Sequence, residues 1–113
     1  MDRPTIYVTQ VPHRRDPQTQ SLVPAIDLTA ANSLGHVIVL MPPNAVFLDT
    51  LPLMSQMKMK LHNYNRANGD CLLTLGDPII NAAAIAILTK KGPFCVLRWD
   101  KNRREYAAVH ITP

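Results

Sequence analysis

Aromatic residues are scarce in this 113-residue chain, at 5%, so the core has to be aliphatic, as where helices pack on a largely parallel sheet. Cysteine is nearly absent. Cys71 and Cys95 have no CxxC spacing and make neither a disulfide framework nor a zinc site; they read as small buried apolar thiols of a reduced cytosolic protein. No apolar run approaches the roughly 20 residues of a membrane span, and Met1–Pro4 lacks the basic-then-apolar pattern of a secretory signal. A soluble, cytoplasmic protein without membrane contact is therefore expected. His13, His36, His62 and His110 fall in separate segments without HxxxH or HxE spacing, which argues against a metal site. GxGxxG and Walker motifs are missing, so no nucleotide cofactor is indicated. Ser21, Ser33 and Ser55 lie in no nucleophile-elbow context, and neither cysteine opens a helix. No cofactor and no catalytic residue is expected.

What remains is one α/β domain, residues 1–113, a length that buries about two-thirds of the unfolded chain's surface without disulfides or metal. Twelve Lys and Arg against eight Asp and Glu leave a net charge of +4. The basic residues are spread over short groups rather than one stripe, which favours anionic partners in general over a dedicated nucleic-acid binder.

The most informative segment is Asp70–Gly92. Cys71–Leu75 reads as a buried strand, Gly76-Asp77-Pro78 as an abrupt turn, and the rest as a helix to Lys91. Asp77 is suited to cap that helix, Pro78 to its first turn, and Gly92 to its end. Upstream, Thr5–Val11 predicts a first strand and His36–Met41 a second, closed by Pro42-Pro43. Pro12–Val23 lacks periodicity and reads as a long loop, functional or mobile. Asp27–Gly35 predicts a short helix with Asp27 as cap and Gly35 as stop. With Thr50 as cap, Leu51, Met54, Met57, Leu61 and Tyr64 fall on one stripe of a further helix, with Lys58, His62 and Arg66 on its outer face. Phe94–Trp99 and Glu105–Ile111 predict a hairpin about Asp100–Arg104.

The order β-α-β-α-β-α-β-β points to a three-layer α/β/α sandwich, Rossmann-like or flavodoxin-like. Its five-stranded, mostly parallel sheet would run 2-1-3-4-5, with an antiparallel hairpin at the C-terminal edge. In that order a crevice opens above the C-terminal ends of strands 1 and 3. Thr9, Gln10, His13, Arg14, Arg15, Gly76, Asp77 and Asn81 would line it. Two arginines and a histidine beside a helix N-terminus suit a phosphate or carboxylate. Asp77 would compete for the same N–H groups, unless it receives a ribose hydroxyl or an amine; as a plain cap it is purely structural. His13 with Asp77 is the one acid–base pair available, and it sustains only a minor third reading, a small nucleotide hydrolase.

A second candidate is the C-terminal hairpin. Arg98, Lys101, Arg103 and Arg104 cluster near Trp99 and Tyr106, and basic side chains beside aromatic faces bind phosphates and stack bases. The same charges also guard an edge hairpin against pairing with other chains. The helix Ile79–Leu88 is apolar nearly all round, leaving Ile79, Ile80 or Ile87 to face a second subunit of a homodimer.

Leu72–Asn81 together with Val96–Tyr106 is similar to a small group of accessory proteins of tailed bacteriophages. The resemblance covers roughly the last 45 residues and implies an accessory protein acting in the host cytoplasm; it carries over no catalytic residue. The leading expectation is a non-enzymatic protein that binds a nucleotide or nucleic acid at the crevice. The alternative is a protein–protein interaction module or an inhibitor of a host factor.

Overall fold

Runs of β-branched and aliphatic residues favour pleated backbone, and the five strands read from the sequence all belong to one sheet. In the computed structural model, which describes residues 3–113, the elements are β1 (Thr5–Gln10), β2 (His13–Arg15), β3 (Leu22–Pro24), α1 (Thr29–Leu34), β4 (His36–Met41), α2 (Thr50–Lys60), a 3-10 turn (Arg66–Asn68), β5 (Cys71–Leu73), α3 (Pro78–Lys91), β6 (Phe94–Asp100) and β7 (Glu105–Ile111). Met1 and Asp2, where the search for a targeting signal begins, lie outside the described residues. The sheet runs β4-β1-β5-β6-β7, parallel except for the antiparallel β6–β7 hairpin.

Two apolar clusters cover the two faces of the sheet. α2 and α3 supply Leu53, Met57, Leu61, Ile80, Ala84 and Leu88 to one, where they meet Tyr7, Leu72 and Phe94. The other is thinner: Ile6, Val8, Cys71, Leu73, Cys95 and Leu97 are met by Ala31 of α1, with Leu28 and Tyr106 packed alongside. Tyr64 ties two segments near the sheet's N-terminal end. Its hydroxyl donates to Asp70 O and accepts from Cys95 N, both at 3.0 Å. The buried Asp70 carboxylate accepts from Thr5 N and Asn65 N, each at 2.9 Å, fixing where β1 starts.

Five local expectations are corrected. Pro12–Val23 is not a loop throughout: β2 and β3 pair as an antiparallel ribbon, closed where Asp16 N donates to Ser21 O and Ala25 N to Pro12 O. Most of the ribbon is exposed, so it has no buried face to impose an alternating pattern. α1 starts at Thr29, because Asp27 Oδ1 takes both Thr29 N at 2.9 Å and the Thr29 hydroxyl at 2.6 Å, which puts Leu28 at the cap position. α2 is capped by Asp49, whose carboxylate accepts from Leu51 N, and not by Thr50. Its buried face runs at four-residue steps through Leu53, Met57 and Leu61, while Leu51 lies in solvent. β5 stops at Leu73 because the Thr9 hydroxyl takes over the backbone of Leu75. In α3, Ile80 and Ile87 are buried in the domain's own core, leaving Ile79 and Ile85 partly exposed.

Candidate ligand-binding site

The crevice between β1 and β5 is built by Thr9 and Gln10, and their side chains fill it. Thr9 is fully buried, its hydroxyl accepting from Leu75 N and donating to Leu75 O, both at 2.8 Å. Gln10 Oε1 accepts from Asp77 N at 2.8 Å, and its Nε2 donates to Pro42 O at 2.9 Å and Ala45 O at 3.1 Å. The amide therefore joins the start of α3 to the β4–α2 loop. Gly76 has φ +77, and a Cβ there would collide with the Gln10 side chain, coming within 2.8 Å of its Cβ. Glycine is needed at this turn both for the conformation and for the approach of Gln10. Asp77 caps α3 by accepting from Ile79 N at 2.7 Å. Asn81 Oδ1, one turn on, is buried without a hydrogen-bond partner among the described residues.

The basic part of that candidate set sits on the β2–β3 ribbon. Arg15 donates to Gln20 O at 2.7 Å within its own hairpin, and His13 Nδ1 lies 2.9 Å from Val11 O. Arg14 lines a shallow hollow with Pro24, Ala25, Ile26, Asp27 and Leu28. Thr9, Gln10, Gly76 and Asp77 are thus brought together, while the hydrogen bonds of His13 and Arg15 run inside the ribbon.

A larger concavity than the Arg14 hollow lies on the thinly covered face at the C-terminal ends of β5 and β6. It is a groove of about 840 Å³, within the range of small-molecule sites. Ile26, Asp27 and Ala30 form one wall, Leu73-Thr74-Leu75 and Leu97 the floor, and Trp99 with Tyr106 the far wall. Cross-strand register pairs Trp99 with Tyr106 and Arg98 with Ala107, so the two aromatic rings share one face of the hairpin. Their centroids are 5.0 Å apart and their planes 73° inclined, an edge-to-face contact that leaves Trp99 44% exposed. Arg98 lines this groove and also a second hollow of about 660 Å³ with Asp100, Lys101 and Asn102.

The hairpin tip is held by Asp100, whose Oδ1 accepts from Asn102 N at 2.9 Å and Arg103 N at 3.2 Å. Arg104 closes the turn at φ +54, the left-handed region that glycine or asparagine adopts at least cost. Lys101, Arg103 and Arg104 all project into solvent. Burial, followed by the charge of Asp27, raises the Tyr106 hydroxyl above the ordinary tyrosine value. Asp27 is itself lowered, first by the Thr29 hydroxyl and then by the Thr29 N–H, so it lines the groove as a carboxylate.

A family model described as Phage Pam3 gp32-like protein matches residues 4–113. The chain belongs to that family. The phage resemblance read from the C-terminal segments therefore extends over nearly the whole sequence. Neither the curated proteins nor the solved structures yield a match.

Of the hairpin candidate, register brings only Trp99 and Tyr106 side by side. Arg98 pairs with Ala107 and alternates to the other face of the strand, and Lys101, Arg103 and Arg104 lie in the exposed turn. Sequence reasoning missed the opposite wall. Ile26, Asp27 and Ala30 reach the groove because α1 crosses the sheet face to touch β7, a contact between distant segments that no local pattern announces. No group of three or more His, Cys, Asp or Glu among the described residues could hold a metal ion. No helix among them is long and apolar enough to cross a membrane.

Proposed function

We propose that this phage-family protein is a non-enzymatic accessory protein of the host cytoplasm that binds a nucleotide or a short single strand of nucleic acid. The ligand would lie in the groove beside the β6–β7 hairpin. The observation that carries this reading is the half-exposed Trp99–Tyr106 pair at the groove wall with Arg98, Lys101, Arg103 and Arg104 around it. Aromatic faces accept any base, and the cations follow the phosphates. Asp27, already ionised, is placed to accept from an exocyclic amine or a ribose hydroxyl. The hollow holding Arg14 shares Ile26 and Asp27 with the groove, which extends the surface toward the β2–β3 ribbon and suits more than one nucleotide.

The architecture supports the same placement. Helices on both faces of a sheet ordered β4-β1-β5-β6-β7 fit a doubly wound, flavodoxin-like sandwich, in which ligands lie at the strands' C-terminal ends. The groove opens at that edge, displaced by one strand pair from the switch point that Gln10 fills.

Thermal unfolding against mono-, di-, cyclic and short oligonucleotides tests the proposal. A ligand at a hundred times its dissociation constant adds about 2.7 kcal/mol, several degrees for a domain of this size. The expected result is a shift confined to base-bearing ligands, lost with Trp99→Ala and with Arg103→Ala/Arg104→Ala, and largely kept with Arg14→Ala/Arg15→Ala. A shift lost only with the Arg14 and Arg15 variant would move the site to the hollow that Arg14 lines with Pro24–Leu28. No shift with any ligand would reject nucleotide binding and leave a protein partner, such as an inhibited host factor, as the reading.

A further inference from the structure

α2 leads from β4 to β5 and α3 from β5 to β6, and these strands all run parallel. Both helices therefore return, side by side, toward the strands' N-terminal ends. Their last turns carry Lys58, Lys90 and Lys91, and the 3-10 turn after α2 brings Arg66. In the sequence these are separate short groups. The fold gathers them where Lys91 Nζ donates to His62 O at 3.2 Å, and all four side chains are exposed. Lys60 is not part of the set, because its ammonium turns to Leu40 O at the sheet edge. No aspartate or glutamate occurs from Thr50 to Gly69 or from Pro78 to Trp99. Asp70, at this end, is buried and accepts from Thr5 N, Asn65 N and Asn68 Nδ2.

The opposite end of the sheet is balanced. Asp49 and Asp77 cap the two helices there, Asp16 sits in the ribbon turn, Asp27 lines the groove, and Asp100 and Glu105 accompany the hairpin cations. Among the described residues, the chain's excess of positive charge, +4 overall, is therefore weighted toward the helix C-termini. Part of it offsets the helix dipoles, since each C-terminus carries about half a negative charge. Four cations exceed what two such ends and one buried carboxylate neutralise by about two charges. We propose that this end of the molecule binds the sugar–phosphate backbone of duplex nucleic acid, with Lys58, Arg66, Lys90 and Lys91 each meeting a phosphate. A duplex presents one negative charge per about 1.7 Å of its axis and is held without any base contact. Tyr64 and Phe94, the aromatic residues beside the patch in the chain, are buried, so no ring is offered to an unpaired base. Exposed Asn63 adds a side-chain amide of the kind that bonds phosphate oxygens. A protein partner would be anchored by aromatic or apolar side chains, and the last turns of both helices expose one large apolar side chain, Met59. The patch lies at the far end of the sheet from the β6–β7 groove and does not depend on what binds there.

Fluorescence anisotropy of an end-labelled DNA duplex of mixed sequence, titrated with the full chain at several salt concentrations, tests this. A closed duplex hides its base faces from Trp99, so the two sites report separately. The expected result is saturable binding with a log–log salt slope of about −3.6, from four phosphate contacts, and unchanged Trp99 emission. Lys58→Ala/Arg66→Ala and Lys90→Ala/Lys91→Ala should each weaken binding at least about tenfold at low salt and flatten the slope by about 1.8. Trp99→Ala should leave duplex affinity as it is. The four positions are exposed and alanine is a strong helix former, so native circular dichroism is expected of both double variants. Should Lys90→Ala/Lys91→Ala lose its fold with the His62 contact, Lys58→Ala/Arg66→Ala decides alone. No duplex binding at low salt overturns the proposal and leaves an acidic protein surface as the partner of this end. Duplex binding that both double variants retain overturns it too. So does binding that Trp99→Ala or Arg103→Ala/Arg104→Ala abolishes, which would assign the duplex to the hairpin.

Discussion

Gln10 joins three segments through a single amide: the end of β1, the start of α3 and the β4–α2 loop. A polar side chain at the C-terminal end of a central strand reads from sequence as a ligand contact, and burial alone separates that reading from a structural one. The burial depends on Pro42 and Ala45 folding back within reach, which nothing near Gln10 in the chain encodes. Gln10→Ala leaves Asp77 N and Ala45 O without partners, while Pro42 O keeps Ala45 N, and is expected to lower stability by about 2–4 kcal/mol in urea unfolding while leaving nucleotide affinity unchanged. Gly76→Ala acts through the same contact and forces a Cβ at φ +77; a loss of at least about 1–2 kcal/mol is expected. Arg104 gives the opposite pairing of effects. Replacing it by glycine relieves the positive φ and should gain about 1 kcal/mol, yet weaken nucleic-acid binding. Improved binding in Arg104→Gly would show that the side chain contributes nothing to the ligand.

Among elements, legibility followed burial. The five sheet strands could be read because each is an apolar run closed by a turn, and α3 because Asp77, Pro78 and Gly92 mark both its ends. α2 begins one position earlier than expected, since Asp49 and Thr50 are both good caps. Its stripe differs for a separate reason: Leu53, four residues before Met57, is the buried member and Leu51 is not. β2–β3 was invisible because an exposed ribbon has no hydrophobic period, and its turn places Gln20 at φ 61 rather than a residue that signals left-handed backbone. The hairpin candidate is legible because its members are close in sequence around one turn, with Trp99 and Tyr106 paired across the strands; the α1 wall is not, since that contact is long-range. Between elements, Tyr64 is the sharpest probe. Tyr64→Phe keeps the ring and strands Cys95 N and Asp70 O, for an expected cost of about 1–3 kcal/mol, read by denaturant midpoint at unchanged m-value.

At the scale of the molecule, two groups set the alkaline limit. Burial, assisted by the neighbouring Cys95, pushes the Cys71 thiol from 9.0 up to about 12, and burial pushes the Tyr64 hydroxyl from 10.0 up to about 12. Both folded values exceed the unfolded ones, so the folded chain retains protons that the unfolded chain releases. Their contribution is complete below pH 9 and is lost as pH climbs toward 12. Urea midpoints should therefore begin to fall once pH passes 9.0, and Cys71→Ala should delay that onset to near 10.0, where tyrosine takes over. The cations at the hairpin give binding a salt dependence. Four phosphate contacts by Arg98, Lys101, Arg103 and Arg104 predict a log–log slope of about −3 for single strands, and Arg103→Ala/Arg104→Ala should flatten it by about 1.4.

Trp99 is the only tryptophan in the chain, so its fluorescence reports directly on the groove. Titrating the protein with a short single-stranded oligonucleotide while recording Trp99 emission is the most direct test of the account. Saturable quenching that weakens with salt and with Arg103→Ala/Arg104→Ala is the predicted result. Binding detected by another method with Trp99 emission unchanged would place the ligand elsewhere, and no binding at low salt would contradict the function itself.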